Sequence, residues 1–198
     1  MIGIKPMISR KIPVENYPKK DEQKEKYTFI HLKLPTEKIT REFENLFHNK
    51  VEHNLFKPKI ELATIKDAQR VSNIYNRSWL TSGVPFSPMT YEKFEVLFKD
   101  PKCSVFIARV FGMDVGFIVL YLEGENDEFG IIAGMGIIPR FQRKGIATAL
   151  ALAAWVYFLL PNNVKELRCE VYNSNKPSYN FIKSLGFEEY DINVITIE

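Results

Sequence analysis

The chain has 198 residues, 45% hydrophobic and 26% charged, with a net charge of +3. This is the composition of a globular protein long enough for one domain and an extension, and so small a net charge gives no indication of nucleic-acid binding. The longest apolar run, Ala149 to Leu160, is too short to span a membrane.

The N-terminus has no apolar core followed by a small-residue cleavage site, so the expectation is a cytoplasmic protein without a secretory signal. Two cysteines, Cys103 and Cys169, lie in or beside strand-like runs and lack metal-site spacing; they read as buried thiols rather than a disulfide. The three histidines all fall in the first third of the chain, and no metal cluster is evident; His48 and His53 read as surface residues.

Residues 1–57 form an N-terminal extension, and 58–198 the main domain. Met1 to Lys26 is polar and contains Pro6, Pro13 and Pro18, which predicts partial mobility. Tyr27 to Leu34 is strand-like. Thr36 is a candidate cap for an amphipathic helix with Ile39, Phe43, Leu46, Phe47 and Val51 on one face. That face must cover the main domain or a partner.

In the main domain, Lys59 to Ala63 is the first strand. Asp67 opens a helix with Val71, Ile74 and Tyr75 on its apolar face, and Thr90 opens a second with Phe94 and Leu97. Between them, Trp79 to Met89 is interrupted by Gly83, Pro85 and Pro88. Strands are predicted over Cys103–Phe111, Val115–Leu122 and Phe129–Ile138, the last carrying Gly130, Gly134 and Gly136. A helix follows from Gly145 to about Leu160, then a strand Glu166–Tyr172, a helix from Ser174 or Asn175 to Leu185, and two short strands, Phe187–Tyr190 and Asn193–Ile197. Gly186 is placed to end the last helix.

Chemistry concentrates between the glycine-rich strand and the apolar helix. The loop carries Arg140, Arg143 and Lys144, and Gly145 stands where the helix begins. A helix start offers unpaired N–H groups and the positive end of the peptide dipole, and glycine lets an anion approach the backbone. Here, then, is a phosphate-binding turn. It is not a Walker loop, since no Gly-Lys-Ser/Thr follows, and it lacks the G-x-G-x-x-G spacing of a dinucleotide site.

Gln142-x-x-Gly145-x-Ala147 resembles the Q/R-x-x-G-x-G/A pyrophosphate signature of the GNAT family of N-acetyltransferases, and Ile137-Ile138-Pro139 resembles the end of that family's fourth strand. Asn175-Lys176-Pro177-Ser178 and Lys183-Ser184-Leu185-Gly186-Phe187 resemble its second motif, N-x-x-A/S followed by Leu-Gly-Phe. The element order from about residue 58 onward is similar too. The resemblance implies an α/β (α+β) fold with a mixed, mainly antiparallel sheet splayed at a cofactor cleft and flanked by helices. It implies an N-acetyltransferase that uses acetyl-CoA as co-substrate and transfers its acetyl group to a primary amine by direct attack. It also implies that backbone groups around Ile137 and Ile138 hold the pantetheine arm, that the amides of Arg143, Lys144, Gly145, Ile146, Ala147 and Thr148 cradle the pyrophosphate with Gln142 at its edge, and that Asn175 belongs to the cofactor site.

Catalysis is where the chain departs from the family pattern. Many members have a tyrosine four residues before the glycine of Leu-Gly-Phe; here that position is Ile182, which cannot donate a proton. Tyr179, one helical turn earlier, is the candidate acid, with packing as its other reading. Tyr172 and solvent are further proton sources. Glu170, on the strand expected across the cleft, is the candidate base, or else a structural carboxylate; a water-mediated route through Glu123 or Tyr121 is a further option. Trp79 and Phe86 either line the acceptor site or complete the core. The acceptor is a small-molecule or peptide amine, and no metal is implied. The alternative from a different class is a non-catalytic acyl-CoA-binding or interaction module on the same fold, motivated by Ile182.

Overall fold

A computed structural model describes residues 25–52, 56–79, 88–159 and 163–197. Seven strands form one sheet: β1 (Glu25–Pro35), β2 (Lys59–Leu62), β3 (Cys103–Val110), β4 (Met113–Glu123), β5 (Phe129–Ile137), β6 (Glu166–Tyr172) and β7 (Glu188–Ile197). Their order is β2-β3-β4-β5-β6-β1-β7. Every neighbouring pair is antiparallel except β5–β6, which is parallel from Phe129↔Glu166 to Ile132↔Cys169 and no further. Helices are α1 (Arg41–Glu52), α2 (Ala68–Trp79), α3 (Tyr91–Phe98), α4 (Ile146–Leu159) and α5 (Lys176–Ser184). The expected class, a mixed and mainly antiparallel sheet flanked by helices, is the one observed.

The strand of the N-terminal segment is not peripheral. β1 lies inside the sheet, paired with β6 on one side and β7 on the other. Its alternating pattern explains why it fits there: Leu32 and Leu34 are buried, while His31 and Lys33 point to the opposite face. The expected pair of C-terminal strands is a single strand. Tyr190 is the extra residue where the β1–β7 register shifts between His31 and Leu32, so the apparent break is a bulge rather than a turn.

α4 is apolar almost all round, which a helix tolerates only when covered on more than one side. It lies on β4 and β5, and its Trp155 packs against Phe43 and Phe47 of α1, each with ring centroids 5.1 Å away. The amphipathic face of α1 therefore packs on its own chain. Thr36 does not cap it. Its hydroxyl donates to the carbonyl of Lys165 at 3.0 Å, and Thr40 accepts the Phe43 N–H at 3.2 Å instead, after a 3-10 turn over Thr36–Lys38.

α2 and α3 cover the other face, with Tyr75 packed on Phe94 and Phe117. Close approach there requires Gly136: a Cβ at that position would stand 2.7 Å from Phe117 Cε1 and 2.9 Å from Ser78 Cβ. Among the described residues no helix is long and apolar enough to cross a membrane.

Candidate active site

β5 and β6 separate beyond Ile132 and Cys169 because no further ladder joins them. A cleft of about 530 Å³ opens alongside, bounded by the end of β5, the loop to α4 and the first turns of α4 and α5. Ile137, Gln142, Arg143 and Gly145 line it from the loop side, Ile146, Ala147 and Thr148 from the first turn of α4, and Asn175 from α5. Two sequence motifs separated by about thirty residues thus converge on one cavity.

The loop's geometry is specific. A 3-10 turn over Pro139–Phe141 leads out of β5, and Phe141 is buried beneath it. Gln142 Nε2 donates to the Ile137 carbonyl at 3.0 Å, tying the loop to the strand end. Arg143 and Gly145 both have positive φ, +61° and +69°. At Gly145 this left-handed conformation costs little, whereas most side chains there would be strained. α4 then starts at Ile146, so its first N–H groups have no intrahelical acceptor and face a cleft edged by the Arg143 guanidinium. Asn175 Oδ1 accepts the Ser178 N–H at 3.3 Å, capping α5 with its side chain buried. Gly186, at φ +85°, ends the same helix as expected.

Two of the residues expected to hold the cofactor through their backbone, Ile138 and Lys144, are not among the residues that line the cleft. Ile138 is buried, does not line the cleft, and spends its N–H on the Val115 carbonyl at 2.9 Å. Lys144 also stands outside the lining, with its Nζ 4.5 Å above the Phe56 ring.

The candidate acid lies away from the cleft. Tyr179 donates its hydroxyl to Glu189 of β7, and that bond raises the phenol above its ordinary range. Its neighbours Ser178, Asn180 and Phe181 line the cavity instead. Ile182 is fully buried in the core. No phenol, imidazole, thiol or carboxyl is among the lining residues.

Glu170 is the first residue of β6 past the end of the parallel ladder, and it is buried. Its face follows from the register. A Cβ at Gly130 would lie 2.9 Å from both Leu167 and Phe158 of α4, so Leu167 and Cys169 point toward α4, and Arg168 and Glu170 point to the opposite face. Glu170 Oε1 stands 3.4 Å from His31 Nε2. Burial, and secondarily the charge of Glu170, push the Cys169 thiol up, and Cys103 and Cys169 are not joined in a disulfide.

Trp79 is buried against Tyr75, with ring centroids 5.7 Å apart; Ser78 rather than Trp79 reaches the cleft. Phe86 lies outside the described residues. Of the cleft residues that sequence reasoning missed, Ser78 and Met135 belong to apolar stretches whose pattern signals only core, while Asn180 and Phe181 lie just past a motif that was visible.

The profile of the Acetyltransferase (GNAT) family matches residues 68–187. An N-alpha-acetyltransferase of Sulfurisphaera tokodaii is 28% identical over 143 residues, which cover 68% of this chain and 82% of the relative. Among solved structures, an aminoglycoside acetyltransferase from an uncultured soil metagenomic sample, in complex with sisomicin, superposes with a TM-score of 0.54 at 19% identity over 65% of this chain and 86% of that one. AAC(6')-Iy in complex with the bisubstrate analog CoA-S-monomethyl-acetylneamine gives 0.56 at 19% identity over 71% and 97%. At these identities the structures establish the shared fold, while the family profile covers more than half the chain. The chain therefore belongs to the GNAT acetyltransferase family, as an N-acetyltransferase whose acetyl group comes from acetyl-CoA.

Proposed function

We propose that the chain acetylates the α-amine of a peptide or protein by direct attack across the gap between β5 and β6. The observation that carries this reading is the end of the β5–β6 ladder at Ile132 and Cys169 beside the cleft, with the buried Glu170 carboxylate one residue further along β6 and outside the cleft lining. When bound, acetyl-CoA supplies the acetyl group as a thioester. The amides at the start of α4, Gly145 and the Arg143 guanidinium fit its pyrophosphate, because they offer N–H donors and positive charge without an intervening side chain at Gly145. Gln142 sets the loop, and its bond to Ile137 keeps the strand end in place.

Glu170 stands outside the cleft lining, so as the base it takes the amine's proton through an intervening water. An α-amine, with an ordinary pKa of about 7.7–8.0, needs far less help than a lysine at about 10.4, so one carboxylate suffices. The Sulfurisphaera relative, named for α-amine acetylation, supports the same acceptor class. The thiolate's proton comes from water, because the described lining offers no acidic side chain; a thiol titrates near pH ~8.5, so this return is easy at neutral pH.

The test is thiol release from acetyl-CoA with a panel of free-N-terminal peptides, N-blocked lysine peptides, polyamines and aminoglycosides. Free-N-terminal peptides should turn over fastest. Calorimetric binding of acetyl-CoA without release on any amine would overturn the reading.

A further inference from the structure

We propose that His31, on the N-terminal strand β1, is the positioning residue for Glu170 and the outlet through which that carboxyl returns its proton to water. The inference rests on the assignment of Glu170 as base.

The inserted strand creates the arrangement. β1 sets His31 directly opposite Glu170 on β6 and opposite Asp191 on β7. The imidazole lies between the two carboxylates, Nε2 at 3.4 Å from Glu170 Oε1 and Nδ1 at 3.5 Å from Asp191 Oδ2. Side-chain exposure rises sharply along the line, from 9% at Glu170 and 13% at His31 to 60% at Asp191. The carboxylates address opposite ring nitrogens instead of converging on one point, and no group of the described residues could hold a metal ion. What the line offers is a path from a buried carboxyl to solvent.

The surrounding charges leave this line intact. On the same face, Lys33 of β1 pairs with Glu166 at 3.4 Å, and Arg168 of β6 donates to Glu166 at 2.6 Å while lying 3.6 Å from the centre of the Phe129 ring. From β7, Tyr190 lies 5.8 Å from the imidazole, its phenol raised chiefly by burial, while Glu189 takes the Tyr179 hydroxyl. Tyr172 packs with Tyr27 and Phe29. The cations are thus engaged with Glu166, which leaves the imidazole as the basic group between Glu170 and Asp191.

The proton count closes. The acceptor ammonium gives one proton to the Glu170 carboxylate and becomes the nucleophilic amine. The protonated Glu170 passes that proton to His31 Nε2. The imidazolium releases its Nδ1 proton to the Asp191 carboxylate and on to water. One proton enters and one leaves; the ring, left as the Nε2–H tautomer, regains the Nδ1–H form by exchange with water before the next cycle, and nothing is oxidised or reduced. A buried carboxyl without such an outlet must wait for water to penetrate before the next cycle.

The experiment compares wild type, His31→Gln, Asp191→Asn and Glu170→Gln. Imidazole 15N–1H correlations follow His31 through a pH titration, and kcat is measured against pH with the peptide turned over best in the amine panel. Melting temperature and acetyl-CoA affinity serve as controls. Glu170→Gln should lower the pH at which His31 loses its proton by about one unit, because a carboxylate beside the imidazole favours its charged form. His31→Gln preserves a hydrogen-bonding amide without a transferable proton. It should lower kcat about tenfold and move the acid limb of the profile, leaving KM and acetyl-CoA affinity within about twofold; Asp191→Asn should give a smaller loss of the same kind.

A His31→Gln profile superimposable on wild type, or a His31 titration indifferent to Glu170→Gln, overturns the proposal. Full activity of Glu170→Gln instead overturns the base assignment itself, as does the absence of turnover on every amine. Should His31→Gln fail to fold, the wild-type titration and the exposed Asp191→Asn variant decide the matter.

Discussion

Gln142 Nε2 donates to the carbonyl of Ile137 at 3.0 Å, across a turn of five residues. This bond joins the strand end to the loop that opens the helix, tying together two parts of the cleft wall. Gln142→Ala should loosen that tie. A net hydrogen bond is worth about 0.5–1.5 kcal/mol, which corresponds to a loss of roughly 2- to 10-fold in acetyl-CoA affinity by calorimetry, with little change in melting temperature.

Gly145 combines positive φ, +69°, with a place on the cleft wall. Gly145→Asp would strain the backbone and put a carboxylate against the phosphates. Acetyl-CoA affinity should fall by at least about 100-fold, since each 1.4 kcal/mol is a factor of ten and both penalties act together. Unchanged affinity in a folded variant would contradict the site.

Tyr179 binds Glu189 with its hydroxyl, away from the cleft. Tyr179→Phe should therefore leave kcat within about twofold and stability within about 0.5 kcal/mol, as befits an exposed contact. A large loss of kcat at unchanged stability would restore the tyrosine to the reaction.

Ile182 occupies the position where many relatives have tyrosine, and here it is fully buried. Ile182→Tyr should overpack the core, costing about 1–3 kcal/mol and several degrees of melting temperature, without raising turnover. A faster enzyme would show that the ring had reached the leaving thiol.

Asp67 holds the approach to α2. It accepts the Thr64 N–H at 2.9 Å and an Arg70 N–H at 2.6 Å, while Arg70 also donates to Asp114 at 2.7 and 2.9 Å. The Thr64 N–H is the main cause holding the Asp67 carboxyl below the usual aspartate range, with Arg70 adding to it against a cost of burial. Because the folded-state value is depressed, the stabilisation is present above the ordinary aspartate pKa and is lost as pH falls through the folded-state value. Asp67→Ala should cost about 1 kcal/mol at neutral pH, and the difference from wild type in denaturant melts should vanish in strong acid.

Much of the site was legible in the sequence because it is local. Gln142 to Thr148 are contiguous, so the strand-to-helix turn proposed for the pyrophosphate depends only on near neighbours. The Asn175 cap and the Gly186 terminus are local as well. The misreadings share a different origin. Thr36 looked like a cap, but its hydroxyl finds Lys165, far along the chain. Phe187–Tyr190 and Asn193–Ile197 read as two strands but form one, with a bulge at Tyr190 against β1.

By itself the sequence determined the family, the element order of the main domain and the turn proposed for pyrophosphate, since each depends on the spacing of near neighbours. Tertiary structure alone decided that β1 enters the sheet between β6 and β7, that Glu170 faces away from α4, and that His31 stands between Glu170 and Asp191. Those placements follow from strand register, where a shift of one residue would turn every side chain to the other face. Register is settled by burial of Leu32, Leu34, Leu167 and Cys169 together, a long-range condition that no window of the sequence contains.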